Sequence, residues 1–184
     1  MTTKRILVPL ATGFEEIEAI TIIDVMRRAG FEVVTASLGD KEVKGAHDVV
    51  VQADTQLASV DAGSFDAIVL PGGLPGSEYL REHEGLQEAL TAAAARGAIT
   101  GAICAAPWAM EPSGVTQGKR VTSHPAFAEK MVGVDYVEEP VAVDGNVFTS
   151  RGVGTALSFS LDLVARMGSE EQANDMAKAM VFNR

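Results

Sequence analysis

The chain has a single cysteine, Cys104, set in Ala98-Ile99-Thr100-Gly101-Ala102-Ile103-Cys104-Ala105-Ala106-Pro107. A short β-like run ends at the thiol, small residues follow, and then comes a proline. Proline is well tolerated in the first turn of a helix, so Cys104 is predicted to sit at a sharp strand-to-helix turn. Small neighbours suit such a turn because bulk would clash. A thiol there faces the free N–H groups and dipole of a helix N-terminus, which favour negative charge. The expectation is a lowered thiol pKa and a reactive thiolate. The plainer reading is a small buried hydrophobe, the usual role of a free cysteine. Residue type leaves both open, and position at a turn weighs toward the nucleophile.

The positions that follow each predicted strand come next, because sites in open α/β sheets form outside the carboxyl ends of the strands. After Ile6–Leu10 come Gly13, Glu15 and Glu18. After Asp66–Leu70 come Gly72 and Gly73, in a loop whose backbone can approach a ligand closely. Cys104 follows Ile99–Ile103, and His124 follows the strand at Val121. Arg151, Gly152 and Gly154 follow Phe148. A carboxylate, a glycine loop, a thiol and an imidazole are thus expected on one rim. No metal is expected, since no set of His, Cys and carboxylates is closely spaced.

The elements that must position these groups read as alternating strands and helices. Ile6–Leu10 is a continuous apolar run, as in a strand buried on both faces, although Pro9 is unusual inside a central strand. Residues 15–29 form a helix with Ile17, Ile20, Ile23 and Met26 near the helical period and with Ile22 and Val25 widening its apolar face, stopped by Gly30. Asp24 lies among them and must be paired or at an interface. Strand 31–38 completes a βαβ unit and hence a parallel sheet. Residues 42–44 and 48–51 form a short hairpin, and 54–60 is irregular or a short helix. Helices are predicted at 77–82 and 84–96, a short one at 107–110, a strand at 119–122 and a hairpin around Asp144-Gly145-Asn146. The last two helices are 155–167 and 170–180, the latter capped by Ser169. The chain reads as one α/β domain over residues 1–184, a three-layer sandwich.

Its 184 residues can bury a sizeable core without staples. One cysteine excludes an intrachain disulfide framework and suits a reducing compartment. No leader is evident and no segment approaches membrane-spanning length, so a cytoplasmic chain without membrane association is expected. The net charge of −10 argues against nonspecific nucleic-acid binding.

Five motifs occur in order: Gly13-Phe14-Glu15-Glu16-Ile17-Glu18, Leu70-Pro71-Gly72-Gly73, Ala102-Ile103-Cys104-Ala105-Ala106-Pro107, Thr122-Ser123-His124-Pro125 and Thr149-Ser150-Arg151-Gly152-Val153-Gly154-Thr155. Together they resemble the ThiJ/PfpI superfamily, in its DJ-one branch of parkinsonism-associated deglycases, over nearly the full length. The resemblance implies a flavodoxin-like, mostly parallel sheet with helices on both faces, a homodimer, and no cofactor. It implies Cys104 as nucleophile, Glu18 as a protonated acid donating to the thiolate, and His124 near the thiol. Gly72 and Gly73 would offer backbone N–H groups. Glu15, Ala105, Trp108, Arg151 and Val153 would line the substrate pocket. Gly45 and Gln52 stand where the branch's best-studied member has further cysteines, His47 where it has an arginine, and Val153 where it has a proline. Trp108 stands where a small residue is common, so it either narrows the pocket or packs beneath the elbow.

The implied activity is glutathione-independent conversion of small α-oxoaldehydes, methylglyoxal or glyoxal, to hydroxy acids, or the related deglycase reaction. The alternative is an oxidative-stress sensor or redox-regulated chaperone working through Cys104 sulfinate. A cysteine peptidase or amidase is disfavoured, since in that branch histidine directly follows the cysteine and here Ala105 does.

Overall fold

A computed structural model describes residues 3–184. In chain order the elements are β1 (Arg5–Leu10), α1 (Glu16–Arg28), β2 (Glu32–Ser37), β3 (Glu42–Lys44), β4 (Val50–Gln52), β5 (Thr55–Gln56), β6 (Ala67–Leu70), α2 (Gly76–Glu82), α3 (Glu84–Ala95), β7 (Ile99–Ile103), α4 (Ala106–Ala109), β8 (Arg120–Val121), β9 (Asp135–Tyr136), β10 (Val141–Asp144), β11 (Val147–Ser150), α5 (Ala156–Met167) and α6 (Glu170–Ala179).

Seven strands form one sheet in the order β10-β11-β7-β6-β1-β2-β5. All neighbours in it are parallel except the β10–β11 hairpin. Alternate side chains of a strand point to opposite faces, and β1 shows the consequence. Ile6, Val8 and Leu10 pack into one core, whereas Leu7 packs into the other. The first core includes Ile22 and Met26 of α1 and Phe159 of α5. The second includes Leu80 of α2, Leu86 and Leu90 of α3, and Met110 after α4. Helices therefore cover both faces, and the fold is flavodoxin-like. No helix among the described residues is long and apolar enough to cross a membrane.

Three elements depart from the sequence reading. Pro9 does lie in a central strand, but the pairing of β1 with β6 runs over Ile6 and Leu7 and ends before it. Residues 55–56 join the sheet as an edge strand beside β2, a pairing too short to leave a periodic signature. On α1 the buried apolar set is Ala19, Ile22, Ile23, Val25 and Met26, while Ile17 and Ile20 are 55% and 43% exposed. Packing against α5 and the sheet keeps Ile22, Ile23, Val25 and Met26 of the predicted face and leaves its two N-terminal isoleucines out. Asp24 is exposed and pairs with Arg28 one turn on, 2.6 Å away.

Candidate active site

The site is assembled where β7 ends. Cys104 has φ +66°, in the left-handed region that side-chain-bearing residues rarely occupy. Three segments hold it there. Its N–H donates to Ser150 O at the end of β11 (3.0 Å), its carbonyl accepts from His124 N (2.8 Å), and β7 runs directly into it. Pro107 occupies the first turn of α4, as its ring predicts. The residue is half-buried.

The loop after β6 closes on the thiol from the other side. A Cβ at Gly72 would lie 2.6 Å from Cys104 Cβ and 2.7 Å from Glu18 Oε2, so only glycine lets these groups approach. Gly73 has φ +93°, and a side chain there would collide with the backbone of residues 13–15. Gly72 O accepts from Glu15 N (2.9 Å), which ties this loop to the start of α1.

Glu18 is fully buried in the first turn of α1. Its Oε2 accepts from Gly72 N (2.9 Å), whereas Oε1 is buried and accepts no hydrogen bond from the described residues. A carboxylate oxygen without a donor is the natural seat of a proton. Burial, with a smaller push from the charge of Glu15, raises the Glu18 carboxyl to about 7. The same environment corrects the expectation of a lowered thiol pKa. Burial first, and then the charge of Glu18, push Cys104 up to about 12, while backbone N–H groups of Ala105 and Gly73 pull the other way. The dipole argument loses because α4 is only one turn long and the sulfur is poorly solvated beside an acid. The groups titrate as a pair. With the proton on Glu18 the like charge vanishes, and the two backbone N–H groups remain to support a thiolate.

The remaining expected site residues fall into two sets. A Cβ placed at Gly152 would lie 3.8 Å from His124 Cδ2 and 3.9 Å from Glu18 Oε1, so His124, Gly152 and Glu18 are brought together. The His124 ring is exposed and its Nδ1 accepts from Ala126 N (3.2 Å), which leaves the proton on Nε2. Glu15 is largely buried beside them, and Ala105 is buried behind the sulfur. Val153 is exposed at the start of the turn beyond Gly152. Trp108 and Arg151 make contacts of their own. The Arg81 guanidinium (4.7 Å) and Lys130 Nζ (4.5 Å) both lie over the indole, which packs on Phe127, a position against α2 and the 125–130 turn. Arg151 reaches Glu138 O (3.4 Å) and Oε2 (3.8 Å).

Several features were hidden in the sequence. β8 does not belong to the main sheet but to a two-stranded one with β9, and Thr122 N bonds Thr149 Oγ1 of β11 to bring His124 to the rim. Thr155 clamps the closing loop. Its hydroxyl accepts from Arg151 N (3.3 Å) and Gly152 N (3.1 Å) and lies 2.7 Å from Ser150 Oγ. A threonine three residues past a glycine was the available signal. The expectation that no metal-ligand set exists also needs correcting. Glu15, Glu16 and His47 bring ligand atoms within 4.8 Å of one another. The hairpin folds back on α1, and His47 Nδ1 lies 2.9 Å from Glu16 Oε2 as its ion-pair partner, a juxtaposition that thirty residues of spacing conceal.

The model of the DJ-1/PfpI family matches residues 4–166. The chain belongs to the DJ-1/PfpI family. It is 42% identical over 179 residues to Protein DJ-1 homolog A of Arabidopsis thaliana, covering 96% of this chain but 46% of that relative, so it spans about half of that protein's length. It is 35% identical over 168 residues to the glutathione-independent glyoxalase DJR-1.2 of Caenorhabditis elegans, covering 90% of this chain and 89% of that one. The crystal structure of Drosophila melanogaster DJ-1beta superposes with a TM-score of 0.96 at 40% identity, over the full length of both chains.

Proposed function

We propose that this chain is a cofactor-independent glyoxalase or deglycase that converts small α-oxoaldehydes such as methylglyoxal and glyoxal to hydroxy acids. The observation that carries the reading is the Cys104–Glu18 pair, a thiol at a strained elbow beside a buried acid whose pKa lies near neutrality. The name of the nematode relative supports the same class of reaction. In the proposed sequence the Cys104 thiolate adds to the aldehyde carbon, and the alkoxide takes a proton to give a hemithioacetal. Ionised Glu18 removes the proton from that carbon and returns it to the neighbouring one, while the hydroxyl proton of the hemithioacetal passes to the neighbouring carbonyl oxygen, so the former aldehyde carbon becomes a thioester and the neighbouring carbonyl an alcohol. Water then cleaves the thioester to release lactate or glycolate and restore the thiol. Gly73 and Ala105 N–H groups support the sulfur, and His124 lies at the mouth to handle protons of water. Glu15, Val153 and Gly152 would bound the substrate. The reaction needs neither metal nor glutathione in this scheme. A cytoplasmic setting, where such aldehydes arise, is part of the proposal.

The test is methylglyoxal loss with lactate formation, without glutathione or added metal, for the wild type, Cys104→Ser and Glu18→Ala. Turnover in the wild type alone supports the proposal. Absence of lactate above the buffer rate removes it for this substrate class. The second reading, a redox sensor, is favoured by one observation: the only thiol is half-buried and therefore reachable by peroxide. Selective sulfinate formation at low peroxide with no aldehyde turnover would establish it instead. We further propose a homodimer through the exposed Ile17 and Ile20 of α1 and the neighbouring Val49 and Val50 of the hairpin. Ile20→Glu is expected to shift sedimentation from dimer to monomer, and an unchanged mass would exclude this face.

A further inference from the structure

A cavity opens at the end of the sheet opposite Cys104, outside the amino ends of β1, β6, β7 and β11. It has a volume of about 460 Å³ and is lined by Lys4, Ser64, Asp66, Arg96, Asn146 and Arg166 among others. Its charge is unusual for this chain, which carries 25 acidic against 15 basic residues. Of the nine arginines, seven pair with a carboxylate. The two without such a partner among the described residues, Arg96 at the end of α3 and Arg166 near the end of α5, line this one cavity.

Both guanidiniums are oriented through one nitrogen, leaving the others uncommitted. Arg96 Nη2 donates to Ala62 O (2.8 Å) and Phe65 O (3.0 Å). Arg166 Nη2 donates to Asn146 Oδ1 (3.0 Å), and Asn146 Nδ2 in turn donates to Gly97 O (2.7 Å), next to Arg96. Asn146 therefore links the two arginine-bearing segments. The one carboxylate in the lining, Asp66, is already occupied by Lys4 Nζ (3.0 Å) and Arg5 N (2.9 Å). Counting Lys4, Arg96 and Arg166 against Asp66 leaves the cavity with an excess of two positive charges. Cations near helix C-termini are favoured by the dipole alone, which accounts for each arginine separately but not for their sharing a cavity whose one carboxylate is held by Lys4 and Arg5 N.

We propose that this cavity binds a small multiply charged oxyanion, with Arg96 and Arg166 supplying charge-assisted hydrogen bonds of the kind guanidinium makes to phosphate or carboxylate. The site lies at the end of the sheet opposite Cys104 and does not depend on the proposed reaction.

Calorimetric titration of the intact chain with pyrophosphate, citrate and acetate at low ionic strength tests it. Saturable binding of pyrophosphate or citrate at one per chain is expected, with acetate much weaker. Pyrophosphate alone would point to a phosphate ester and citrate alone to a polycarboxylate. Arg166→Gln is the chosen variant because Arg96 also pins the 62–65 loop. It should weaken binding about tenfold, as loss of one charged hydrogen bond does, while Cys104→Ser binds as the wild type. No saturable binding by about 10 mM, or equal binding by Arg166→Gln, would overturn the proposal and leave both arginines as helix-end cations.

Discussion

The proton shared by Glu18 and Cys104 sets the chemistry of the site, and it has two consequences that can be measured. The folded chain holds a proton on Glu18 up to about pH 7, whereas the ordinary carboxyl releases it at 4.5. A raised carboxyl pKa means that the folded state binds more protons than the unfolded one between those values, so stability falls as pH rises through them. The full shift corresponds to about 3 kcal/mol. Glu18→Gln keeps the shape and removes the titration. In urea unfolding it should therefore gain on the wild type between pH 5 and pH 8; an equal difference at the two pH values would contradict the burial argument. The second consequence concerns reactivity. The attacking form is the minor tautomer of the singly protonated pair, a thiolate beside protonated Glu18, and its share rises as the first proton leaves the pair. Alkylation of Cys104 by iodoacetamide should accelerate through about pH 7 and then level off, and that inflection should be absent in Glu18→Gln. An unchanged profile in the variant would show that the thiol titrates alone.

Between the residue and the fold, short loops do the positioning. The elbow at Cys104 is stitched to β11 and to the segment carrying His124, and the 151–155 turn is held by Thr155. Thr155→Val preserves the branched shape but strands two backbone N–H groups, which costs about 1–3 kcal/mol. The variant should melt earlier and show a raised KM for methylglyoxal, and Thr155→Ser should restore both. Recovery by valine itself would mean the hydroxyl is not the clamp. The extra small sheet of β8 and β9 has the same kind of role, since it delivers His124 from outside the main sheet. Sequence periodicity has no access to such stitching. Hydrogen bonds between a loop and a strand dozens of residues away leave no local pattern.

At the scale of the whole molecule, two cores back one sheet, and the site depends on both. Phe159 is fully buried in the core under α1 and α5, and Leu90 in the one under α2 and α3. Phe159→Ala and Leu90→Ala should each cost about 2–5 kcal/mol in denaturant unfolding. A loss confined to one of them would mean that the other face is not integral to the cooperative unit. The alternating strands and helices, the elbow around Cys104 and the apolar β1 and β7 were legible in the sequence because each is written in neighbouring residues: periodicity, a proline after small residues, a run buried on both faces. The motif order also pointed to the family. Tertiary structure alone decided that Ile17 and Ile20 of α1 stay exposed, where Trp108 packs, that His47 meets Glu16, and that the thiol is pushed up rather than down. Each of these depends on groups distant in the chain, through burial and charge that act over a few ångströms of space and have no counterpart in sequence spacing.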